Sequence, residues 1–361
     1  MTPQPLKGRR VVEFSQFIAG PTAAQMLADY GAEVIKVEPP RGDGSRALPG
    51  GAHGSAYFRS FNTSKDSHVL DMATQDGQAA FAALLDGAEA LICNVAPRAL
   101  KKLSLDPENL RRRFPHLVAT LISGFGQDDD RSCMDTIAQC ESGFAWMNGN
   151  LDGTPRVSTS WPVDFYSGHY AGMATAMAML DPVREGGMIV DLSMMEVASA
   201  MLLGPAAVLA AEGMPLGAPS GNRDRASAPS GIYRCSDGHV YIYGGLDAYW
   251  RALNTEIGAP DASFAERLER AGEYDAHVEA WTGDKTAQDV LAIMARLRIP
   301  AGAVRHPAEA LDRIRRLRPG AGVTLHSDGQ AIPAYPALFD GARIARTPAP
   351  PLAGPNEPTE D

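Results

Sequence analysis

The sequence has little of what metal sites, disulfide scaffolds and membrane spans require. Its 361 residues include only four cysteines, and none of them stands in a CxxC pair, so neither a zinc site nor a disulfide framework is expected. No run of about 18 uncharged apolar residues occurs, which argues against a membrane span. The opening MTPQPLKGRR has no apolar stretch after its basic residues. It therefore does not resemble a secretory signal, and a cytoplasmic location is expected.

Positive charge is also scarce. The formal net charge is −10, whereas a protein that binds nucleic acid needs a broad basic surface to displace counterions. No nucleic-acid partner is therefore expected, and an anionic ligand must find a local group of basic side chains. Hydrophobic residues make up 45% of the chain, which is ordinary for a globular protein and sufficient for a sizeable core.

Strand and helix patterns alternate over the first 212 residues. Short β-branched and apolar runs predict strands at 11–14, 33–37, 90–94, 117–123 and 188–192. Helical patterns are predicted at 79–85, 107–113, 165–180 and 194–211. Because strands that alternate with helices form parallel sheets covered on both faces, the pattern predicts an α/β fold class.

The composition changes after residue 212. The stretch GMPLGAPSGNRDRASAPSG is rich in glycine, proline and serine, which predicts a linker over 213–230 between a large domain at 1–212 and a smaller domain at 231–325. The smaller domain opens with a predicted hairpin that turns at Asp237 and Gly238. Helical segments follow the hairpin, so this domain is predicted to be α+β.

One carboxylate, Asp164, stands at the start of a helical pattern of small and apolar residues, WPVDFYSGHYAGMATAMAML. A capping role explains its position, because aspartate oxygens accept the free N–H groups of a first turn. The small residues Gly168, Gly172 and Ala176 recur at every fourth position, so one face admits another backbone or a ligand. A carboxylate kept ionised at a helix N-terminus could also attack an activated acyl group such as a thioester. The residues alone leave both roles open.

Basic side chains follow the predicted strand at 90–94. Arg98, Lys101 and Lys102 stand together at the carboxyl end of this strand, where parallel sheets bind ligands. A solvated helix start explains the same three residues equally well.

Six motifs in order give the chain a resemblance to a known family. They read RVVEFSQFIAGPTAAQMLADYGAEVIKVEPP, FNTSKDSHVLDM, ICNVAPRALKKL, LISGFGQ, MDTIAQCESG and PVDFYSGHYAGMATAMAML. The set resembles the class III CoA-transferase family, which includes formyl-CoA transferase, carnitine CoA-transferase and α-methylacyl-CoA racemase. The resemblance covers most of the chain and extends through RIPAGAVRHPAEAL.

The resemblance implies a Rossmann-like large domain, a small domain, a C-terminal segment at 326–361 that returns to the large domain, and a homodimer of interlocked chains. It implies an enzyme that moves CoA from an acyl-CoA to a small carboxylic acid, with coenzyme A as a substrate and no permanently bound cofactor. Asp164 would form an aspartyl-acyl anhydride and then an aspartyl-CoA thioester. Asp135 would be the acidic residue beside it.

The resemblance also implies a set of CoA contacts. Lys65 and Lys102 would contact the phosphates. The residues against the nucleotide and the pantetheine arm would be Gln16, Phe17, Ile18, Ala19, Asn94, Val95 and Ala96.

Two alternatives stay open beside CoA transfer. The first is a 2-methylacyl-CoA racemase, but Met134 stands where racemases of the family have a histidine, and a thioether cannot carry the proton. The second is a non-catalytic subunit of a hetero-oligomeric transferase, because Asp66 stands where many relatives have a basic residue and would repel a phosphate. The stretch NRDRASAPSG lacks the glycine-rich loop of formyl-CoA transferase, so formyl and oxalyl substrates are not favoured.

Overall fold

A computed structural model describes residues 2–49, 55–212, 218–327 and 329–352. The chain divides into two compact units, each built from separate parts of the sequence. The first unit contains residues 1–144, 157–215 and 313–361, and the second contains residues 145–156 and 216–312. The predicted boundaries had put 145–156 in the large domain and 313–325 in the small one. Residues 213–217 of the predicted linker, with 328 and 353–361 of the predicted C-terminal segment, lie outside the described residues.

A six-stranded parallel sheet forms the centre of the first unit. Its strands are β1 (Arg10–Phe14), β2 (Glu33–Glu38), β3 (Asp66–Val69), β4 (Ala90–Cys93), β5 (Val118–Ser123) and β6 (Met188–Ser193). They lie in the order β3-β2-β1-β4-β5-β6, which is the order of a Rossmann-type doubly wound sheet. The predicted α/β class with a parallel sheet is confirmed, and β3 is a strand that the sequence patterns had not indicated.

Helices cover both faces of this sheet, which is why every residue of β4 and β5 is buried. One face carries α1 (Ala19–Asp29), α6 (Asp135–Glu141), α8 (Pro162–Leu180) and α9 (Met194–Ala200). The other face carries α3 (Gln75–Asp86), α4 (Pro97–Leu103) and α5 (Pro107–Arg113). The remaining elements outside the second unit's core are α2 (Ala56–Phe61), α7 (Phe144–Met147), α10 (Leu203–Glu212), α15 (Pro307–Leu317), β10 (Val323–Leu325) and β11 (Ala331–Pro333).

The helix predicted at 194–211 is two helices. α9 ends at Ala200 and α10 begins at Leu203, with a bend of 83° between them. Pro205 has no backbone N–H to continue the first helix, but proline is well tolerated in the first turn of a new one. The prediction of one continuous helix was wrong for this reason. Within the described residues no single helix is long and apolar enough to cross a membrane, and only this bent pair reaches the necessary length and composition when taken together.

The small face of α8 packs directly on α1. A Cβ atom added at Gly168 would lie 2.5 Å from Thr22 Cβ and 2.7 Å from the carbonyl oxygen of Ala19. One added at Gly172 would lie 3.1 Å from the carbonyl oxygen of Ala23. The close approach expected from the glycine spacing is therefore made by the backbone of another helix, and it brings the first turns of α1 and α8 together.

The second unit contains a three-stranded antiparallel sheet, β7 (Ser230–Arg234), β8 (His239–Tyr243) and β9 (Ala301–Ala303). The predicted hairpin at Asp237 and Gly238 is present between β7 and β8. Its helices are α11 (Asp247–Ile257), α12 (Phe264–Glu269), α13 (Ala271–Thr282) and α14 (Ala287–Leu297). Apolar side chains of the sheet pack against α11, α13 and α14 to form its core.

The last described part of the chain is tied to the first helix of the first unit. The guanidinium of Arg346 donates from Nε to Asp29 Oδ1 at 2.7 Å and from Nη2 to Asp29 Oδ2 at 2.5 Å. Asp29 is the buried last residue of α1 and lies 317 positions earlier in the chain. Ser64 Oγ also accepts a hydrogen bond from the N–H of Thr347.

Candidate active site

A cavity of about 450 Å³ opens at the carboxyl edge of the parallel sheet. In this sheet β2 lies on one side of β1 and β4 lies on the other. The loops that follow β1 and β4 therefore run in opposite directions, and a crevice opens between them. In doubly wound sheets the crevice at this switch point is where ligands bind. Asp164 lines the cavity together with residues that the resemblance had named for CoA binding, namely Gln16, Phe17, Ile18, Ala19, Asn94, Val95 and Ala96.

The loop after β1 is held by a side chain from the loop after β4. Asn94 accepts the N–H of Gln16 at 3.0 Å and donates to the carbonyl oxygen of Gln16 at 2.8 Å. The next residue, Phe17, has a positive φ of 65°, which is costly for a bulky side chain. Asn94 therefore fixes a backbone shape that the loop would not adopt by itself.

Asp164 is the third residue of α8, which begins at Pro162. The residue before the helix, Trp161, is in the left-handed region and makes no capping hydrogen bond through its side chain. The N–H groups of Val163 and Asp164 instead donate to Asp135 Oδ2, at 2.8 and 3.0 Å. The capping role considered for Asp164 thus belongs to Asp135, and the Asp164 carboxyl group is left to face the cavity.

Asp135 is buried and does not line the cavity. Its other carboxylate oxygen accepts a hydrogen bond from Gln139 Nε2. Gln139 also donates to the carbonyl oxygen of Ser158 at 2.9 Å and accepts the N–H of Ser158 at 2.8 Å. Asp135 contacts Asp164 through the backbone, so it fixes the position of the helix start.

Burial raises the pKa of Asp164 to about 7, and the charge of Asp135 acts in the same direction. The N-terminal dipole of α8 opposes this rise, but a helix end contributes only about 0.3–1 kcal/mol, which is less than one pKa unit. The expectation that the helix end keeps Asp164 ionised was therefore wrong. Near neutral pH this carboxyl group titrates, and its ionised form is a stronger base and nucleophile than an ordinary aspartate.

Aromatic side chains from α2 and α8 cover the start of α8. The ring of Tyr57 packs against Trp161 with centroids 5.6 Å apart, and Phe61 packs against Phe165 at 5.5 Å. Burial and then the charge of Asp164 raise the pKa of Tyr57 to about 12. Its hydroxyl group therefore remains protonated beside the carboxyl group at neutral pH.

Two lysines do not reach the cavity. The side chain of Lys65 is fully buried, and its ammonium group lies 2.7 Å from Glu13 Oε2 while donating to Pro21 O at 2.9 Å and Asn62 Oδ1 at 3.0 Å. With these three partners it cannot contact a CoA phosphate, so that expectation was wrong. Lys102 is exposed on α4 and is not among the residues that line the cavity.

A second cavity of about 450 Å³ adjoins the first and shares Gln16, Phe17 and Val95 with it. Three apolar side chains form part of its wall: Val37 of β2, and Leu70 and Met72, which follow β3. Arg41 also lines it.

Sequence reasoning missed the loop at 131–134 as a cavity wall. Arg131, Ser132, Cys133 and Met134 all line the first cavity. The loop lies close because Gly124 at the end of β5 has no side chain: a Cβ atom there would be 2.2 Å from Cys133 Cβ. Since β5 is the neighbour of β4 at the same sheet edge, a strand-order prediction could have pointed to this loop.

Among the residues that the structure describes, no cluster of histidine, cysteine, aspartate or glutamate side chains is arranged to hold a metal ion.

The comparisons with known proteins identify the family. Residues 6–357 match the family model described as CoA-transferase family III. The chain belongs to this family. It is therefore a CoA-transferase, as its motifs had indicated, and enzymes of family III use CoA thioesters as substrates.

Relatives of this family III chain differ in what their names say they act on. A "Probable fatty acyl-CoA transferase" of Mycobacterium tuberculosis is 31% identical over 81% of this chain and 80% of its own length. A succinate–glutarate CoA-transferase of Agrobacterium fabrum is 32% identical over 91% and 87%. A CAIB/BAIF family protein of Brucella suis has a crystal structure that matches with a TM-score of 0.85 at 28% identity, covering 97% of both chains.

Proposed function

We propose that this enzyme transfers CoA from an acyl-CoA thioester to a small carboxylic acid, with Asp164 as the nucleophile. The observation that carries the proposal is the Asp164 carboxyl group, which lines a cavity whose walls include residues 16–19 and 94–96. The raised pKa of Asp164 supports it, because a more basic carboxylate attacks a thioester carbonyl more readily.

The first half of the reaction needs no external base. A carboxylate oxygen of Asp164 attacks the thioester carbon, the carbon–sulfur bond breaks, and CoA leaves as a thiolate while an aspartyl-acyl anhydride forms. The thiolate then attacks the aspartyl carbonyl carbon of the anhydride. This step releases the donor acid as a carboxylate and leaves CoA as a thioester on Asp164.

The second half repeats these steps with the acceptor. An acceptor carboxylate attacks the aspartyl-CoA carbonyl, which gives a new anhydride and CoA thiolate. The thiolate attacks the acceptor's carbonyl carbon, so the acceptor leaves as its CoA thioester and Asp164 is again a carboxylate. Each step exchanges one anion for another, so a site without a histidine can carry out the whole sequence.

The two adjoining cavities suit the two halves of a CoA molecule. The cavity that contains Asp164 would hold the thioester and the pantetheine arm. The second cavity, with its apolar wall and Arg41, would hold the nucleotide. We infer that Arg131 and the exposed basic side chains of α4, including Lys102, help to attract the phosphates into an otherwise acidic protein.

Asp135 would act as a positioning residue and not as a group that touches the substrate. It accepts the N–H of Asp164 and thereby orients the first turn of α8. Its charge also contributes to the raised pKa of the nucleophile.

Proton abstraction by a racemase has less support. Such a reaction needs two groups that exchange a proton with the α-carbon. Among the described residues that line the cavity there is no histidine, and Met134 is the side chain next to Asp135.

We also infer a homodimer. The outer face of α8 exposes Tyr166, Tyr170, Met173 and Met177, each 41–59% exposed and spaced by four or three residues. Residues at this spacing form one helix face, and a contiguous apolar face of this kind marks an interface. A second copy of the chain is the partner that the family resemblance implies.

The proposal is tested by trapping the intermediate. The purified chain, incubated with an acyl-CoA donor and no acceptor, is treated with hydroxylamine and digested. Mass spectrometry should find a hydroxamate on the peptide that contains Asp164, and Asp164→Ala should lose both the hydroxamate and CoA exchange while it still folds. An active Asp164→Ala enzyme would refute the mechanism. Turnover that appears only after a second chain type is added would instead support the subunit alternative.

A further inference from the structure

Four charged side chains are buried together beneath the loop after β1. They are Glu13 on β1, Lys36 on β2, Asp43 after β2 and Lys65 before β3, and we call them the buried charge cluster. Their side chains are 0–1% exposed. Lys36 Nζ lies 2.8 Å from Glu13 Oε1 and 3.0 Å from Asp43 Oδ2, and Lys65 Nζ lies 2.7 Å from Glu13 Oε2. Two cations thus balance two anions.

The cluster is bonded to the loop at three points. Lys36 Nζ donates to the carbonyl oxygen of Ser15 at 3.0 Å, and Lys65 Nζ donates to that of Pro21 at 2.9 Å. Between them, the N–H of Phe17 donates to Asp43 Oδ1 at 3.4 Å. Ser15 Oγ also donates to Glu13 Oε1 at 2.7 Å. The cluster therefore holds both ends and the strained middle of residues 15–21, while Asn94 holds Gln16 from the side.

Stability of the sheet alone does not explain such a cluster. The desolvation penalty for each buried ion is still several kcal/mol after relaxation, and apolar side chains of similar size often stabilise a core equally well or better. Apolar side chains could not, however, bond to the carbonyl groups of Ser15 and Pro21 or to the N–H of Phe17. Burial and then the charges of Lys36 and Lys65 act on Glu13 in opposite directions, and the lysines prevail, lowering its pKa to about 2.

We propose that the buried charge cluster positions residues 15–21, the loop after β1 and the start of α1, for CoA binding. Lys65, Lys36, Glu13 and Asp43 then act on the ligand through the backbone that lines the cavity. This inference rests on the proposed function. It assigns Lys65 a role different from the phosphate contact that the family resemblance implied.

The test compares two double variants that each remove one buried charge of each sign. Glu13→Gln/Lys65→Met disrupts the cluster, and Asp29→Asn/Arg346→Met disrupts the largely buried pair at the opposite end of α1. Calorimetric titration with free CoA should show binding weakened at least about tenfold by the first pair only, because a loop displaced by about 1 Å loses much of its complementarity. Thermal unfolding should show that both variants are still folded at the temperature of the titration.

Equal CoA affinity of the wild type and the folded cluster variant would overturn the inference. If that variant does not fold, Ser15→Ala decides, because it keeps all four charges and removes one bond between cluster and loop. It should weaken CoA binding a few-fold, and unchanged affinity would again overturn the inference. Hydroxylamine trapping on the wild type separates the two proposals. If Asp164 carries no hydroxamate, the proposed function is refuted. If Asp164 carries the hydroxamate but the variants bind CoA as tightly as the wild type does, only the positioning role is refuted.

Discussion

The carboxyl group of Asp135, and not that of its neighbour Asp164, takes the capping role at the start of α8. The sequence left two roles open for Asp164, helix capping and attack on a thioester. Asp135 accepts the N–H groups of the first turn of α8, and Asp164 faces the cavity with a raised pKa. This division is chemically useful, because a carboxylate already engaged by backbone N–H groups is a poor nucleophile. The capping residue leaves the proposed nucleophile free and also raises its pKa.

The pH dependence of catalysis should reveal the raised pKa of Asp164 and the contribution of Asp135 to it. The value of kcat/KM for the acyl-CoA donor is expected to rise with pH through about 7 as Asp164 ionises. Asp135→Asn removes the neighbouring charge, which raises the pKa of Asp164, so the midpoint should move to lower pH. Asp181→Asn, at the other end of α8, is the control and should leave the midpoint in place. A midpoint unmoved by Asp135→Asn would contradict the assigned cause.

The same pKa makes a prediction about stability. Because the pKa of Asp164 in the folded chain lies above its unfolded value of 3.8, its protonated form stabilises the fold at low pH, and this contribution is lost as the pH rises from about 4 through 7. Asp164→Asn should therefore be more stable than the wild type at pH 8, by on the order of 1–4 kcal/mol, and the difference should be clearly smaller at pH 5.

Urea unfolding at pH 5 and pH 8 measures the difference, with Asp181→Asn again as the control. A variant less stable than the wild type at pH 8 would show that burial of Asp164 does not disfavour its charge.

At the residue scale, the sequence predicted the cavity wall better than it predicted the charges. The loops at 16–19 and 94–96 follow strands that the patterns identified, so their meeting at one sheet edge follows from the fold. The burial of the Lys65 side chain could not be predicted in the same way. Whether an ammonium group meets solvent or Glu13 depends on the packing of β1, β2 and β3, and β3 was not predicted.

At the scale of elements, the close contact between α1 and α8 joins the helix that follows the cavity loop to the helix that carries Asp164. Gly168→Ala adds a Cβ atom that would clash with Thr22 and with the backbone of Ala19. The expected loss of about 1–3 kcal/mol from overpacking exceeds the gain of about 0.5–1 kcal/mol in helix propensity. The displaced helix start should also lower kcat/KM at least about tenfold.

Gly172→Ala is the matched control, because its contacts with Met26 and Ala23 begin at 3.0–3.1 Å and Met26 is flexible. Its cost and its gain in helix propensity should nearly cancel. Urea unfolding and steady-state kinetics compare the two variants, and an equal effect of both would show that the close contact at Gly168 is not what positions α8.

The pattern of small residues thus predicted that another part of the molecule or a ligand packs closely on α8, but it could not identify α1 as that part.

The break between α9 and α10 was not predicted, although the sequence contained a signal for it. The continuous apolar composition of 194–211 suggested one helix, although Pro205 was present in the sequence as a reason to restart it.

At the scale of the whole molecule, the outer face of α8 makes the proposed dimer testable. Met173→Lys/Met177→Lys places two charges on this face and should convert a particle of twice 38.4 kDa into one of 38.4 kDa in light scattering. Leu325→Lys, on the exposed strand β10, is the control and should not change the mass. A wild-type chain that is monomeric at assay concentrations would remove the dimer from the proposal.

The division into units was the part of the molecule least accessible from sequence. Composition identified the turn-rich stretch near 213–230, but residues 145–156 join the second unit through distant contacts. The N–H of Gly221, for example, donates to the carbonyl oxygen of Gly149, 72 positions earlier. Such returns of the chain have no local signature, because they are decided by which distant surfaces fit together.

The pairing of Asp29 with Arg346 has a consequence for synthesis on the ribosome. The guanidinium that neutralises Asp29 is made 317 residues after the helix that carries this carboxylate. In a nascent chain Asp29 therefore lacks this partner until residue 346 has left the ribosome. Messages truncated before codon 346 should yield chains that a quality-control protease degrades rapidly.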